Sequence, residues 1–180
     1  MKILVQITYN LNKIMVQTML KKQIKKFKGD TQMSNLFLNR FKEYVNTHYS
    51  DCNLKITDIC SNIGCSVSTL QRILASYYDY SIMKYVEYFR ILMSIKFLCE
   101  GEKKVYHIVG YSLPDTFYRS FTRVTKLNTS YFCPYQDIDH ESIVKHILNA
   151  KTEDPKKVIE DIINKFLNKI YTSNKVLKKP

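Results

Sequence analysis

The four glycines of this 180-residue chain constrain its fold more than any other feature. Each stands behind a segment whose apolar residues recur at helical spacing. Gly29 follows residues 11–28, Gly64 follows Ile56, Ile59, Cys60 and Ile63, Gly101 follows a long segment ending at Cys99, and Gly110 follows Val105, Ile108 and Val109. A glycine there supplies the left-handed φ with which many helices stop. Sandwiches and barrels need turn residues far more densely than four Gly and four Pro allow. The expected class is therefore all-α.

The periodicity outlines the helices. Leu11, Ile14, Met15, Met19, Leu20, Ile24 and Phe27 form one stripe. Residues 1–9 suit either a short strand or the start of that helix. A second helix is expected from Asn35 to Tyr49, with Leu36, Phe37, Phe41, Tyr44 and Val45 on one face. The short helix ending at Gly64 precedes Ser66, placed to cap a helix carrying Val67, Leu70, Ile73 and Leu74. A long helix then runs from Ile82 to Cys99, with Tyr85, Val86, Phe89, Leu92, Met93 and Phe97 as its stripe. Behind Gly110, Ser112 or Asp115 can cap a helix containing Phe117, Phe121 and Val124, with Pro114 in its first turn. Two short helices about a glycine turn describe a helix-turn-helix, and the pattern occurs twice, separated by the long helix.

Two further helices are expected over residues 141–150 and 155–171. The second carries Val158, Ile159, Ile162, Ile163, Phe166, Leu167 and Ile170, which need burial. That stripe suits packing on the N-terminal helix of the same chain, or an interface with a second copy or a partner protein.

Charge divides the chain. It holds 28 Lys+Arg and 16 Asp+Glu, a net charge of +12. Residues 1–33 hold seven lysines and one acid, residues 34–132 twelve bases and eight acids, and residues 133–180 nine lysines and seven acids. The run Lys21-Lys22-Gln23-Ile24-Lys25-Lys26-Phe27-Lys28 attracts polyanions without choosing a sequence, or forms a solvated helix face. Only five of the bases are arginine, at 40, 72, 90, 119 and 123, which points to positions where a planar two-toothed donor or a buried guanidinium matters.

Other classes lose support. The longest apolar stretch near the N-terminus, Ile3 to Val5, is too short for a membrane span or an export signal. A cytoplasmic protein is expected, its five cysteines reduced and lacking any C-x-x-C pair for zinc. His48, His107, His140 and His146 are scattered, and neither a nucleophile motif nor a glycine-rich phosphate loop is present. No enzyme, metal or cofactor is expected.

Residues 34–132 resemble the AraC/XylS-type DNA-binding domain. Its first-unit pattern is met by Ile56, Asp58, Ile59, Cys60, Gly64, Ser66, Leu70 and Arg72, and its connecting helix by Tyr85, Arg90, Ile91, Ser94 and Leu98. In the second unit, Gly110-Tyr111-Ser112 stands for Gly-Phe-Ser, and Phe117, Arg119 and Phe121 fill the F-x-R-x-F signature. The chain departs from the pattern in a link after Leu98 about three residues short and in Tyr106 where alanine is usual. Asp79 and Lys126 also replace glycines, and Thr129 replaces a proline.

The resemblance implies a transcription regulator, most members being activators, whose second helix in each unit enters the major groove of duplex DNA. RNA polymerase is the further expected partner, and a homodimer through the C-terminal helices is the sharper use of their stripe. The DNA-facing residues are Ser68, Thr69, Gln71 and Arg72 in the first unit, and Asp115, Thr116, Tyr118, Arg119 and Arg123 in the second. Gln suits adenine and Arg suits guanine, whereas Asp115 accepts from cytosine N4 but repels phosphate. Arg90, inside the connecting helix, is expected to brace structure, and Phe117 and Phe121 to be core. The 33 residues before this region cannot form the ligand-sensing barrel that the family often carries. Two alternatives are a protein-interaction factor on the same fold and a non-specific architectural DNA binder led by the N-terminal lysines.

Overall fold

A computed structural model describes residues 31–134, 136–150 and 153–176. The helix expected over residues 11–28, the strand-or-helix choice at 1–9 and the lysine run lie outside the described residues. Every regular element among them is helical, so the chain is all-α. In order these are α1 (31–48), α2 (Ile56–Ile63), α3 (Val67–Ala75), α4 (Ile82–Cys99), α5 (Val105–Ile108), α6 (Pro114–Thr125), a 3-10 turn (Thr129–Phe132), α7 (His140–Asn149) and α8 (Pro155–Val176).

The turn between α2 and α3 follows from three successive residues, Gly64, Cys65 and Ser66. Gly64 takes φ +76°, and its N–H and that of Cys65 both donate to the Cys60 carbonyl, at 3.0 and 3.1 Å. Ser66 then starts α3 by accepting the Thr69 N–H at 3.1 Å. The second pair is built more tightly. After Gly101, Lys104 also adopts a left-handed conformation (φ 54°), and α5 is a single turn. Leu113 is the N-cap residue of α6 and no side chain caps it, so neither Ser112 nor Asp115 has the capping role expected. Pro114 at the first position removes one N–H that would otherwise need a partner and pre-sets φ for the helix.

Helix α4 is the axis of the molecule. Its buried residues include the expected Tyr85, Val86, Phe89, Leu92 and Met93, and also Ile91, Ile95 and Leu98 on its other side. A helix apolar on both sides must be covered on both. α7 and α8 both pack on it, and one buried cluster runs from Leu38 through α4 to Ile147, Val158, Ile159 and Ile162. Ile147, Val158, Ile159 and Ile162 therefore continue the core of residues 34–132. The first half of the α8 stripe is buried within its own chain on α4; Phe166, Leu167 and Ile170 lie outside the described side chains.

Polar contacts fix the start of α8. Asp154 accepts the Tyr80 hydroxyl at 2.5 Å and the Lys156 N–H at 3.0 Å, while Lys156 Nζ reaches Asp79 at 3.1 Å. Asp79 thus has a partner on the C-terminal helix. Burial and then the Asp154 carboxylate hold the Tyr80 phenol far above its ordinary value, so it stays a proton donor.

A second joint ties the two helix pairs together. Arg90 on α4 donates through Nε to the Tyr49 carbonyl (2.8 Å) and through a terminal nitrogen to the Asp51 carbonyl (2.7 Å). Its guanidinium also lies 5.6 Å from the centre of the Tyr111 ring. It satisfies carbonyls just beyond the end of α1, the bracing role expected of it.

Candidate nucleic-acid interface

The second helix of each pair turns an apolar side inward and a polar side outward. In α3, Leu70, Ile73 and Leu74 are buried, leaving Ser68, Gln71 and Arg72 exposed and Thr69 half-buried. Ser66 Oγ lies 3.0 Å from the Ser68 hydroxyl and 2.8 Å from that of Thr69. Both hydroxyls are thus engaged with the helix cap. Gln71 and Arg72 have no side-chain hydrogen-bond partner among the described residues. Thr69, Arg72, Ile73 and Ser76 border an open hollow of about 480 Å³ with Met33, Ser34 and Phe37 of α1.

In α6, Phe117, Ser120, Phe121 and Thr125 face the interior, as expected for the two phenylalanines. Asp115, Thr116, Tyr118, Arg119 and Arg123 are all exposed. Tyr118, Arg119, Thr122, Arg123 and Lys126 outline a broad shallow hollow of about 650 Å³. Neither Thr122 nor Lys126 was expected from sequence to face DNA, although they stand four and eight residues beyond Tyr118 and so extend its face by whole turns. Lys126 ends the helix in the left-handed region (φ 61°), a conformation that glycine adopts more readily.

The two arginines of α6 differ in freedom. Arg119 has no ion-pair or hydrogen-bond partner among the described residues. Arg123 donates to the Glu87 carboxylate on α4 and to Ser120 Oγ at 3.3 Å. Glu87 also accepts from Lys84 at 2.5 Å. Burial raises the Glu87 carboxyl, but hydrogen bonds from Lys84 and Arg123 outweigh it and leave the group below its ordinary 4.5. The acid therefore stays ionised and holds Arg123 against the connecting helix. Asp115 sits in the first turn of α6, where the helix dipole favours a carboxylate.

The exposed polar side of each second helix can offer hydrogen bonds to a surface wider than either helix. The α6 hollow carries three cations, Arg119, Arg123 and Lys126, and suits an anionic partner. Among the described residues no three or more His, Cys, Asp or Glu side chains gather to hold a metal ion. No helix of the described residues is long and apolar enough to cross a membrane. No protein-family model matches the chain, and no solved structure matches it.

Proposed function

We propose that the protein is a sequence-specific duplex-DNA-binding regulator of transcription that reads the major groove with α3 and α6. The observation that carries this reading is the repeated arrangement itself. Two short helix pairs flank one long helix, and each second helix exposes an arginine without a partner among the described residues, Arg72 and Arg119. Arginine donates two parallel hydrogen bonds to guanine O6 and N7, about 1–3 kcal/mol of discrimination per good pair. An unpaired arginine gives up no internal contact to do so.

α4 has 18 residues and so spans about 27 Å at 1.5 Å per residue. Successive major-groove turns are about 34–36 Å apart on one side of the duplex, and modest bending costs a few kcal/mol. One chain can on this reading serve a bipartite site. Gln71 and Arg72 read bases from α3. In α6, Arg119 reads bases with Thr116 and Tyr118 beside it, and Arg123 and Lys126 meet phosphates. Ser68 and Thr69 contribute through the cap that fixes the start of α3. Asp115 meets a cytosine N4 or keeps phosphate away. Activation through contact with RNA polymerase, in the cytoplasm, is the form that the sequence resemblance favours.

Selection of bound duplexes from a random pool tests the proposal. Enrichment of a two-part motif is expected, with Arg72→Ala relaxing one half and Arg119→Ala the other, each by about 1–3 kcal/mol. Binding without enrichment, with a steep salt dependence, would replace the regulator by a non-specific architectural binder. Absence of duplex binding would leave the protein-interaction factor.

A further inference from the structure

α1 opens on an apolar edge. Met33 and Leu36 are 52% and 43% exposed, and Phe37 beside them is half-buried. Met33 and Phe37 form one wall of the hollow of about 480 Å³ whose other wall is Thr69, Arg72, Ile73 and Ser76 of α3. Those four positions recur at helical spacing, so the hollow runs along α3 as an open groove. Apolar side chains gathered at such a groove mark a surface that another element covers. The chain reaches this edge from residues 1–30, which lie outside the described residues. In their sequence Leu20, Ile24 and Phe27 stand at spacings of four and three, and Gly29 and Asp30 follow immediately before α1 starts at residue 31.

We propose that the groove between α1 and α3 is the seat of residues 20–28 of the same chain, folded back along α1 as an antiparallel helical hairpin. The length of the preceding chain and the place where it ends argue for this occupant. Antiparallel helices are joined by about two to five residues, and Gly29 with Asp30 supplies two. A reversal centred on residue 30 sets positions equally far from it against each other. Phe27 then meets Met33, three residues to either side, and Ile24 meets Leu36, six to either side. One turn further, Leu20 meets the methylene stem of Arg40, whose guanidinium lies 3.5 Å from the Ile63 carbonyl. Tethered by two residues, the segment meets the groove at an effective concentration of about millimolar or more, which a second copy in dilute solution does not match. Lys21 with Lys25, and Lys22 with Lys26, occupy the sides away from Ile24 and Phe27. Docking therefore turns these lysines outward beside α3. On the regulator reading they add phosphate contacts there, whereas the docking itself does not depend on that reading.

The test uses the full-length chain without DNA, so its failure and that of the regulator reading are distinguishable. Isoleucine and leucine methyls are ¹³C-labelled for NMR, and Ile24→Val identifies the Ile24 signal. A nuclear Overhauser contact between the Ile24 and Leu36 methyls is expected, unchanged on dilution. It should vanish in an equal mixture of isoleucine-labelled and leucine-labelled protein. Ile24→Glu, which alters no residue of the described core, should abolish the contact. It should also let hydrogen peroxide convert Met33 to its sulfoxide severalfold faster, with Met93, 7% exposed, as the unchanged reference. Absence of the Ile24–Leu36 contact, or equal oxidation of Met33 in wild type and Ile24→Glu, would overturn the proposal. A contact that persisted in the mixed sample would overturn it in favour of a second copy.

Discussion

Gly110 offers the sharpest test of how the two helix pairs are joined. Its φ is +78°, and a Cβ there would lie 2.6 Å from the Tyr49 carbonyl oxygen and 2.9 Å from the carbonyl carbon and oxygen of Ser50. These are backbone atoms, and they have little freedom to retreat. Tyr49 N–H is bonded to Val45 O at 2.9 Å, and Tyr49 O accepts from Arg90 at 2.8 Å. Gly64 provides the internal control, with φ +76° and nothing within 4 Å of the same added atom.

Alanine in the left-handed region costs about 1–2 kcal/mol at either site. Reduced freedom of the unfolded chain returns about 0.4–1 kcal/mol. Gly64→Ala should therefore destabilise by about 1 kcal/mol, the difference of those two effects. Gly110→Ala adds the forced displacement, about 1–3 kcal/mol for overpacking a rigid site, and should lose about 2–4 kcal/mol. Urea unfolding followed by circular dichroism measures both, and the melting temperatures should separate by about 2–4 °C per kcal/mol. Equal losses in the two variants, within about 0.5 kcal/mol, would refute the close approach of Gly110 to the end of α1.

Two further outcomes are expected. Glu87→Gln should cost about 1 kcal/mol at neutral pH, since it weakens the tie between α4 and Arg123. Because the folded-state carboxyl lies below its ordinary 4.5, the ion-pair contribution is complete above that value and disappears as the pH falls through the lowered one. Wild type and variant should thus converge in acid, and a gap that persisted there would assign the loss to packing. Tyr80→Phe should cost about 1 kcal/mol and speed hydrogen exchange at Val158, whose N–H donates to Asp154 O at 3.1 Å, without changing α2 or α3. Unchanged exchange at Val158 would place the anchor of α8 elsewhere.

Local signals in the sequence were legible where one or two neighbouring residues decide the backbone. Gly64 and Gly110 stop their helices, Ser66 caps α3, and Pro114 starts α6. The cap of α6 was misjudged because the helix starts at Pro114, which puts the apolar Leu113 at the cap position, between Ser112 and Asp115. Contacts between distant segments were not legible. Arg123 meets Glu87 from 36 residues away, and Lys156 meets Asp79 from 77. Hydrophobic periodicity names a buried side but not what buries it, so the α8 stripe left its partner open. The best available clue was on α4, where Ile91, Ile95 and Leu98 form a second apolar row at spacings of four and three. That row signals a covering layer, and the residues before α4 need not supply it.

The second apolar row has a practical consequence for anyone wishing to excise the two helix pairs. Residue 132 is an attractive place to cut, because the resemblance ends there. Such a fragment would lose Val158, Ile159 and Ile162, each 2% exposed or less in the whole chain. Burial of side chains of this kind contributes about 1.5–3 kcal/mol each, and their removal lays an oily strip along α4 open to solvent. A shortened protein would self-associate through that strip, and a dimer observed for it would be an artefact of the cut. The smallest fragment that keeps this core covered therefore extends into α8, at least through Ile162.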